Sequence, residues 1–475
     1  MPRAPFVLAL VALLTAAPAT GQPPDSLPTA IQEVVGVTAP VVALTHVQLV
    51  DGTGAPPAAD RTIVIEDGRI AAVGPAGQIE IPSGAEVLDL PGHTVIPGFV
   101  GLHDHTFYTT SGRRVQSTFS APRLYLAGGV TTIRTTGSYH PYSELSLKRA
   151  IDAGQTPGPR IHVTGPYLTG GSGVSYMTQL STPEDARRVV AYWADEGATW
   201  FKAYTEITRA ELQAVIDEAH RRGLHVTGHL CSVSFREAVE LGIDNLEHGF
   251  FTNTDYDPDK PADTCPTDFR ETLLTVDLEG EDVQRTFAAM IENDVAMTST
   301  LAIYELIVPG RPTEVDPRVL AALSPEAEAD YQRSREEIEA NAAESQWPQL
   351  FPRAQAFEKA FVEAGGLLAA GVDPTGIGGA LPGFGDQRNY ELLIEAGFSP
   401  AEAIEIMTLN GARVLDEDDQ YGSIEPGKLA ELVVIEGDPV ARPMEIRNTR
   451  IVFKDGLGYD SAKLIGSVEG QVGIR

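Results

Sequence analysis

Cysteine is nearly absent: Cys231 and Cys265 are the two in 475 residues, and they are not in CxxC spacing. That argues against a thiolate zinc site and against a dithiol redox motif. Basic residues are scarce as well. Thirty-five Lys and Arg stand against 66 Asp and Glu, a formal net charge of −31. Such an excess speaks against nucleic acid or an anionic membrane as a partner, and for a strongly solvated acidic surface. Beyond the first residues no apolar run approaches the ~20 residues a stable membrane span needs. A strand–GxxxxGK–helix phosphate cradle is also missing. The Gly-rich run 169–174 therefore reads as a flexible rim over a site.

What is present describes a globular chain. Apolar residues make up 43%, and the length suffices for a large catalytic domain plus a smaller one. Arg3 followed by the apolar stretch 6–17 and small residues reads as an export leader over 1–21, with cleavage after Ala19 or Gly21. Residues 22–40 read as a loose linker. The implied location is the periplasm or outside the cell. There the two cysteines can be oxidised, and a Cys231–Cys265 disulfide is expected. The competing reading is two buried free thiols.

Both ends of the chain are β-rich. Stretches 41–50, 61–73 and 86–90, with a turn at Asp67-Gly68, answer 431–435 and 446–454, with a turn at Asp455-Gly456. They predict one small β-sandwich assembled from 41–96 and 420–475. The middle, 97–419, alternates instead. Short apolar strands are expected at 95–102, 130–135, 160–165, 199–204, 224–229, 245–249, 295–300 and 367–372. Helical patterns lie between them, as at 182–196 and at 208–222, where Thr208 precedes Glu211 as a cap. This alternation predicts an α/β fold, a (β/α)8 TIM barrel, with chemistry at the carboxyl ends of the strands.

The candidate site follows that rule. PGFVGLHDHTFY, 97–108, ends an apolar run with His103 and His105. Residues two apart in an extended chain face the same side, as two ligands of one metal ion would. Lys202 lies among Trp200, Phe201 and Tyr204, where a bare ammonium is costly to bury. His229 ends the fifth strand, His248 the sixth and Asp373 the eighth. His140 and His162 lie near the ends of the second and third strands, where either touches substrate or packs; packing is the preferred reading. The long connection 307–364, helical in pattern over 325–342, has the length for a lid or for a contact in a homo-oligomer.

These motifs resemble those of the amidohydrolase superfamily over nearly all the chain after the leader. VIPGFVGLHDH is similar to the family's PGxIDxHxH, and FKAY to its strand-four lysine motif. GHL and EHG resemble its fifth- and sixth-strand histidine motifs, GVD its strand-eight aspartate motif, and 422–439 its return segment. The set is similar to the binuclear branch that includes secreted prolidase-like and carboxypeptidase-like enzymes. The resemblance implies two divalent ions, Zn2+ first with Mn2+ or Co2+ as alternatives. It also implies a CO2-derived carbamate on Lys202 bridging them. His103, His105 and Asp373 would hold one ion, His229 and His248 the more exposed one. A bridging hydroxide would attack a polarised carbonyl of a small-molecule substrate, and Asp373 would move the proton. Two departures stand out: Gly101 replaces the family's aspartate while Asp104 sits between the histidines, and Glu431 replaces an aspartate. Hydrolysis of an amide C–N bond, linear or cyclic, is the leading expectation, with a dipeptide or N-acyl amino acid as substrate. A lactonase or phosphotriesterase-like hydrolase is the first alternative and a non-catalytic binding protein the second.

Overall fold

The structure is a computed structural model that describes residues 27–171, 176–376 and 379–474. The expected leader 1–21 lies outside them, as do 172–174 of the Gly-rich run. Among the described residues no helix is long and apolar enough to cross a membrane.

Strands from both chain ends join in one nine-stranded sheet. Val41–Leu49, Ala58–Glu66 and Arg69–Pro75 run antiparallel. The tight turn at Asp67-Gly68 works because both residues take positive φ, 50° and 74°, as a two-residue hairpin of this twist requires. From the other end, Leu432–Glu436, Thr449–Lys454 and Leu457–Asp460 pair in order. His93–Pro97 is the join, antiparallel to Leu432–Glu436 and parallel to Val41–Leu49. The ladders connect all nine strands, so the expected β-sandwich of two separate sheets is not confirmed. Leu432–Glu436 is apolar on both faces because both are covered. Leu432 and Val434 join the sheet's own core with Leu44 and Ile63, while Val433 and Ile435 pack into the main core.

The linker expectation over 22–40 fails where the structure can be read. Thr29–Gln32 is a helical turn, and Val35–Val37 is an edge strand on Leu457–Asp460. Ile31 and Val34 are 1% and 2% exposed. Enough apolar side chain is buried there to offset the ordering of a short segment.

The middle of the chain is α/β, with parallel strands in two sheets. One holds Arg160–His162, Val130–Thr135 and Phe99–Asp104. The other runs Thr178–Leu180, Thr164–Gly170, Trp200–Ala203, His225–Gly228, Asn245–Glu247, Ala296–Ser299 and Leu368–Ala370. The ladders do not close into a ring. The expected third strand divides at Val163, and Thr164 N donates to the Thr135 side-chain Oγ1 at 3.1 Å in place of a ladder bond. At the other seam, Asp373 N donates to His103 O at 2.7 Å and Val372 N to Asp104 Oδ1 at 3.3 Å. Helices fill the connections, including Pro183–Glu196 and Arg209–Arg221. The second of these starts with the expected reciprocal cap between Thr208 and Glu211. The long connection before the last strand carries Pro317–Ala322, Pro325–Ala340 and Trp347–Glu363.

A hairpin that the sequence reading does not foresee follows the first parallel strand. Phe107–Thr110 and Arg113–Gln116 pair around Ser111-Gly112, both at positive φ, 48° and 69°. The signal was the Ser-Gly dipeptide between two short extended runs. A disulfide joins Cys231 to Cys265, as expected.

Candidate metal centre

The six candidates sit where parallel strands end. His103 is in Phe99–Asp104 and His105 just past it, Lys202 is in Trp200–Ala203, and His229 and His248 each follow their strand by one residue. Asp373 lies three residues beyond Leu368–Ala370. The fold brings all of them to one pocket region. His103 Nε2 is 3.0 Å from Lys202 Nζ and 3.7 Å from Asp373 Oδ2. His105 Nε2 is 3.1 Å from Asp373 Oδ1, and His248 Nε2 is 3.9 Å from Asp373 Oδ2. The His229 ring lies 4.4 Å from that of His248. Ligand atoms of His103, His248 and Asp373 fall within 4.8 Å of one another. His248 is as buried as His103, and His229 is the histidine most open to the pocket.

Each imidazole is presented as a neutral base. Burial pushes His103 and His248 well below the usual histidine range, and cationic neighbours reinforce it. Burial and Lys202 bring His229 down to about 3. His103 Nδ1 donates to Glu247 Oε2 at 2.7 Å, which leaves the Nε2 lone pair facing the centre. His248 Nδ1 meets Thr300 Oγ1 at 2.7 Å, and its Nε2 is buried without a hydrogen-bond partner. A buried orphan nitrogen beside a carboxylate fits a cation between them. Burial raises Asp373, but His103 and a hydrogen bond from His105 outweigh that and hold it below the carboxylate range. Burial lowers Lys202 to about 8 against the pull of Glu247. Imidazole, carboxylate and amine donors together suit divalent ions of the Zn2+ type.

Glu247 and Arg134 are the residues the sequence reading misses. Both are fully buried and paired at 2.5 Å. Arg134 also donates to Leu102 O at 2.9 Å and Asn245 Oδ1 at 2.7 Å, and lies 4.4 Å from the Trp200 ring centre. A lone charge among the β-branched residues of the strand Val130–Thr135 was the available signal, as was Glu247 next to His248. The Gly101 departure also has a structural answer. A Cβ at Gly101 would lie 1.8 Å from Asp104 Oδ2, so the Asp104 carboxylate fills the space that a side chain at 101 would take. Glu431 is buried and accepts from Arg160 at 3.0 Å, tying the return segment to a parallel strand. His162 faces Glu417 at 3.3 Å and exposed His140 meets Tyr139 edge to face, so neither joins the centre.

Above the centre is a pocket of about 350 Å³. Its walls are aromatic and aliphatic: Phe107, Tyr167, Tyr176, Tyr204, Tyr304 and Ile303. Arg114 enters it from the hairpin. The Tyr167 hydroxyl is 3.5 Å from His105 Nε2.

Known proteins share this architecture. A bottromycin amidohydrolase structure superposes with a TM-score of 0.70 at 22% identity, covering 90% of this chain and 91% of that one. A Xaa-Pro dipeptidase with bound methionine in the active site gives 0.67 at 22%, covering 88% and 100%. In sequence, the chain is 24% identical over 403 residues to imidazolonepropionase of Geobacillus kaustophilus, covering 78% of this chain and 83% of that protein. The amidohydrolase family model matches residues 94–263 and 354–457, which include every candidate ligand. The chain belongs to the amidohydrolase family and is a hydrolase of carbon–nitrogen bonds.

Proposed function

We propose that the chain hydrolyses the amide bond, linear or cyclic, of a small substrate with two divalent ions, Zn2+ by preference. A dipeptide or N-acyl amino acid is the leading class. The observation that carries this reading is the convergence of His103, His105, Lys202, His229, His248 and Asp373 at one pocket. His103, His105 and Asp373 would hold one ion, His229 and His248 the other, with Lys202 between them as a carbamate. Carbamate formation needs the neutral amine, and burial brings that form of Lys202 within reach near neutral pH. Six donors also exceed what one tetrahedral ion takes. When bound, such ions supply Lewis acidity to the substrate carbonyl and to water.

The chain's own groups do the rest. Asp373, held ionised, takes a proton at its carboxylate and delivers it to the leaving nitrogen. Glu247 keeps His103 in one tautomer and one orientation. Burial raises the phenols of Tyr167, Tyr204 and Tyr304, so they stay protonated as donors for a substrate oxygen. The seam bonds support the two sheets acting as one (β/α)8 barrel. The disulfide supports export to an oxidising compartment. The dipeptidase neighbour, with methionine in its active site, supports an amino-acid substrate. Metal-loaded protein assayed on dipeptides, N-acyl amino acids and cyclic amides beside lactones and phosphotriesters tests the reading. Turnover of amides is the expected result. Turnover confined to lactones or phosphotriesters would replace it with an ester hydrolase.

A further inference from the structure

Arg114 brings a cation into the pocket of this acidic chain. In the strand Arg113–Gln116, successive side chains face opposite sides. Arg113 points out and pairs with Glu326 at 2.7 Å. Arg114 points in, and lines the same pocket as His103, His105, Lys202, His229 and Asp373. Its guanidinium lies 3.3 Å from the Tyr176 ring centre and 5.7 Å from that of Tyr139. Those contacts hold the group in place but satisfy none of its five N–H donors. Among the described residues no carboxylate pairs with it, although acidic side chains outnumber basic ones by 66 to 35.

The hairpin that carries Arg114 is fastened from outside. Besides Arg113–Glu326, Thr110 Oγ1 donates to Asp330 Oδ2 at 2.6 Å, so both anchors lie on the helix Pro325–Ala340. From Arg114 a row of rings leads to the centre. Tyr176 lies 6.5 Å from Tyr167, and Tyr167 lies 6.2 Å from His105, centre to centre. The pocket therefore offers donors for an amide at one end, apolar walls along its length, and at the other a planar cation with no carboxylate partner among the described residues. A guanidinium fork with free donors matches a carboxylate in shape and charge.

We propose that Arg114 receives a free carboxylate of the substrate, so that the enzyme acts on amides bearing an acid group beyond an apolar body. This rests on the C–N hydrolase reading and adds to it the group that sets specificity. The test uses the full metal-loaded enzyme with N-acetyl-L-amino acids and dipeptides, each beside its C-terminal amide. Wild type should prefer the acid by about 10- to 100-fold in kcat/KM, the range of one charge-assisted pair. Arg114→Gln should remove that preference, with the amide changed less than about threefold. Arg114→Lys should fall between them. Equal rates for acid and amide in wild type, or equal losses on both in Arg114→Gln, would overturn the proposal while leaving the hydrolase reading intact. If nothing in the panel is cleaved, calorimetry with L-phenylalanine and L-phenylalaninamide decides separately. Acid binding that depends on Arg114 would keep the carboxylate site and sink the dipeptide reading. No difference between the two probes would sink both.

Discussion

The terminal sheet and the carboxyl ends of the parallel strands treat charge in opposite ways. The sheet encloses an apolar core of Val42, Leu44, Val47, Ile63, Ile65, Val95, Leu432, Val434 and Phe453. The strand ends bury His103, Arg134, Lys202, Glu247 and His248 in one cluster. An unpaired charge inside a protein costs several kcal/mol, so the cluster persists only where each charge is answered by another. Glu247 does most of that answering, between Arg134 on one side and His103 on the other. Burial in one region holds the fold together, and burial in the other sets up reactivity. Substitutions should divide along the same line.

The largest effect should come from Asp373→Asn, which keeps an oxygen ligand but cannot accept a proton. Steady-state kinetics should show kcat down by ~100- to 10,000-fold. A value within a factor of two or three, with metal retained, would assign the proton transfer to another group. Glu247→Gln comes next and acts on both sides of the divide. It leaves Arg134 as an uncompensated buried charge, at about 3–5 kcal/mol. It should also weaken metal retention about 10- to 100-fold through His103. Denaturant unfolding together with chelator competition reads both losses; unchanged stability would mean the pair carries no structural weight.

Leu44→Ala samples the other region. Truncating a fully buried side chain in the sheet core should cost about 2–5 kcal/mol of stability. Assayed where the variant is still folded, kcat/KM should not change, and a parallel loss of activity would break the separation. The smallest effect concerns Glu358, raised by burial to about 8 from an ordinary value of 4.5. Between those pH values the folded chain holds the proton and the unfolded chain has released it, so stability falls as pH rises through that window. Glu358→Gln should flatten the slope. It should match wild type near pH 4 and gain on the order of 1 kcal/mol or more near pH 8. A wild-type slope retained in the variant would show that Glu358 is not its source.

The same division explains what was legible in the sequence. Period-two apolar runs and Asp-Gly turns reveal the terminal strands, because each strand there obeys local rules. Whether they form one sheet or two does not follow, since pairing partners come from opposite ends of the chain. The ligand candidates are visible because His, Lys and Asp at the ends of apolar strands break the local pattern. Glu247 and Arg134 break it too, but their meaning depends on a contact across the fold, 113 residues apart in sequence. The seam at Val163 escapes notice for a related reason: Thr135, a side chain on a neighbouring strand, takes the bond that would have continued the ladder. Arg114 is hidden by the short hairpin, which only the Ser111-Gly112 turn announces.

The most direct measurement is elemental analysis of protein purified without chelator, made on wild type and on Lys202→Ala. Six donors converging on one pocket predict about two divalent ions per chain, with metal and turnover lost together in Lys202→Ala. A single ion at full activity, or wild-type turnover in Lys202→Ala, would contradict a two-ion centre joined through that lysine.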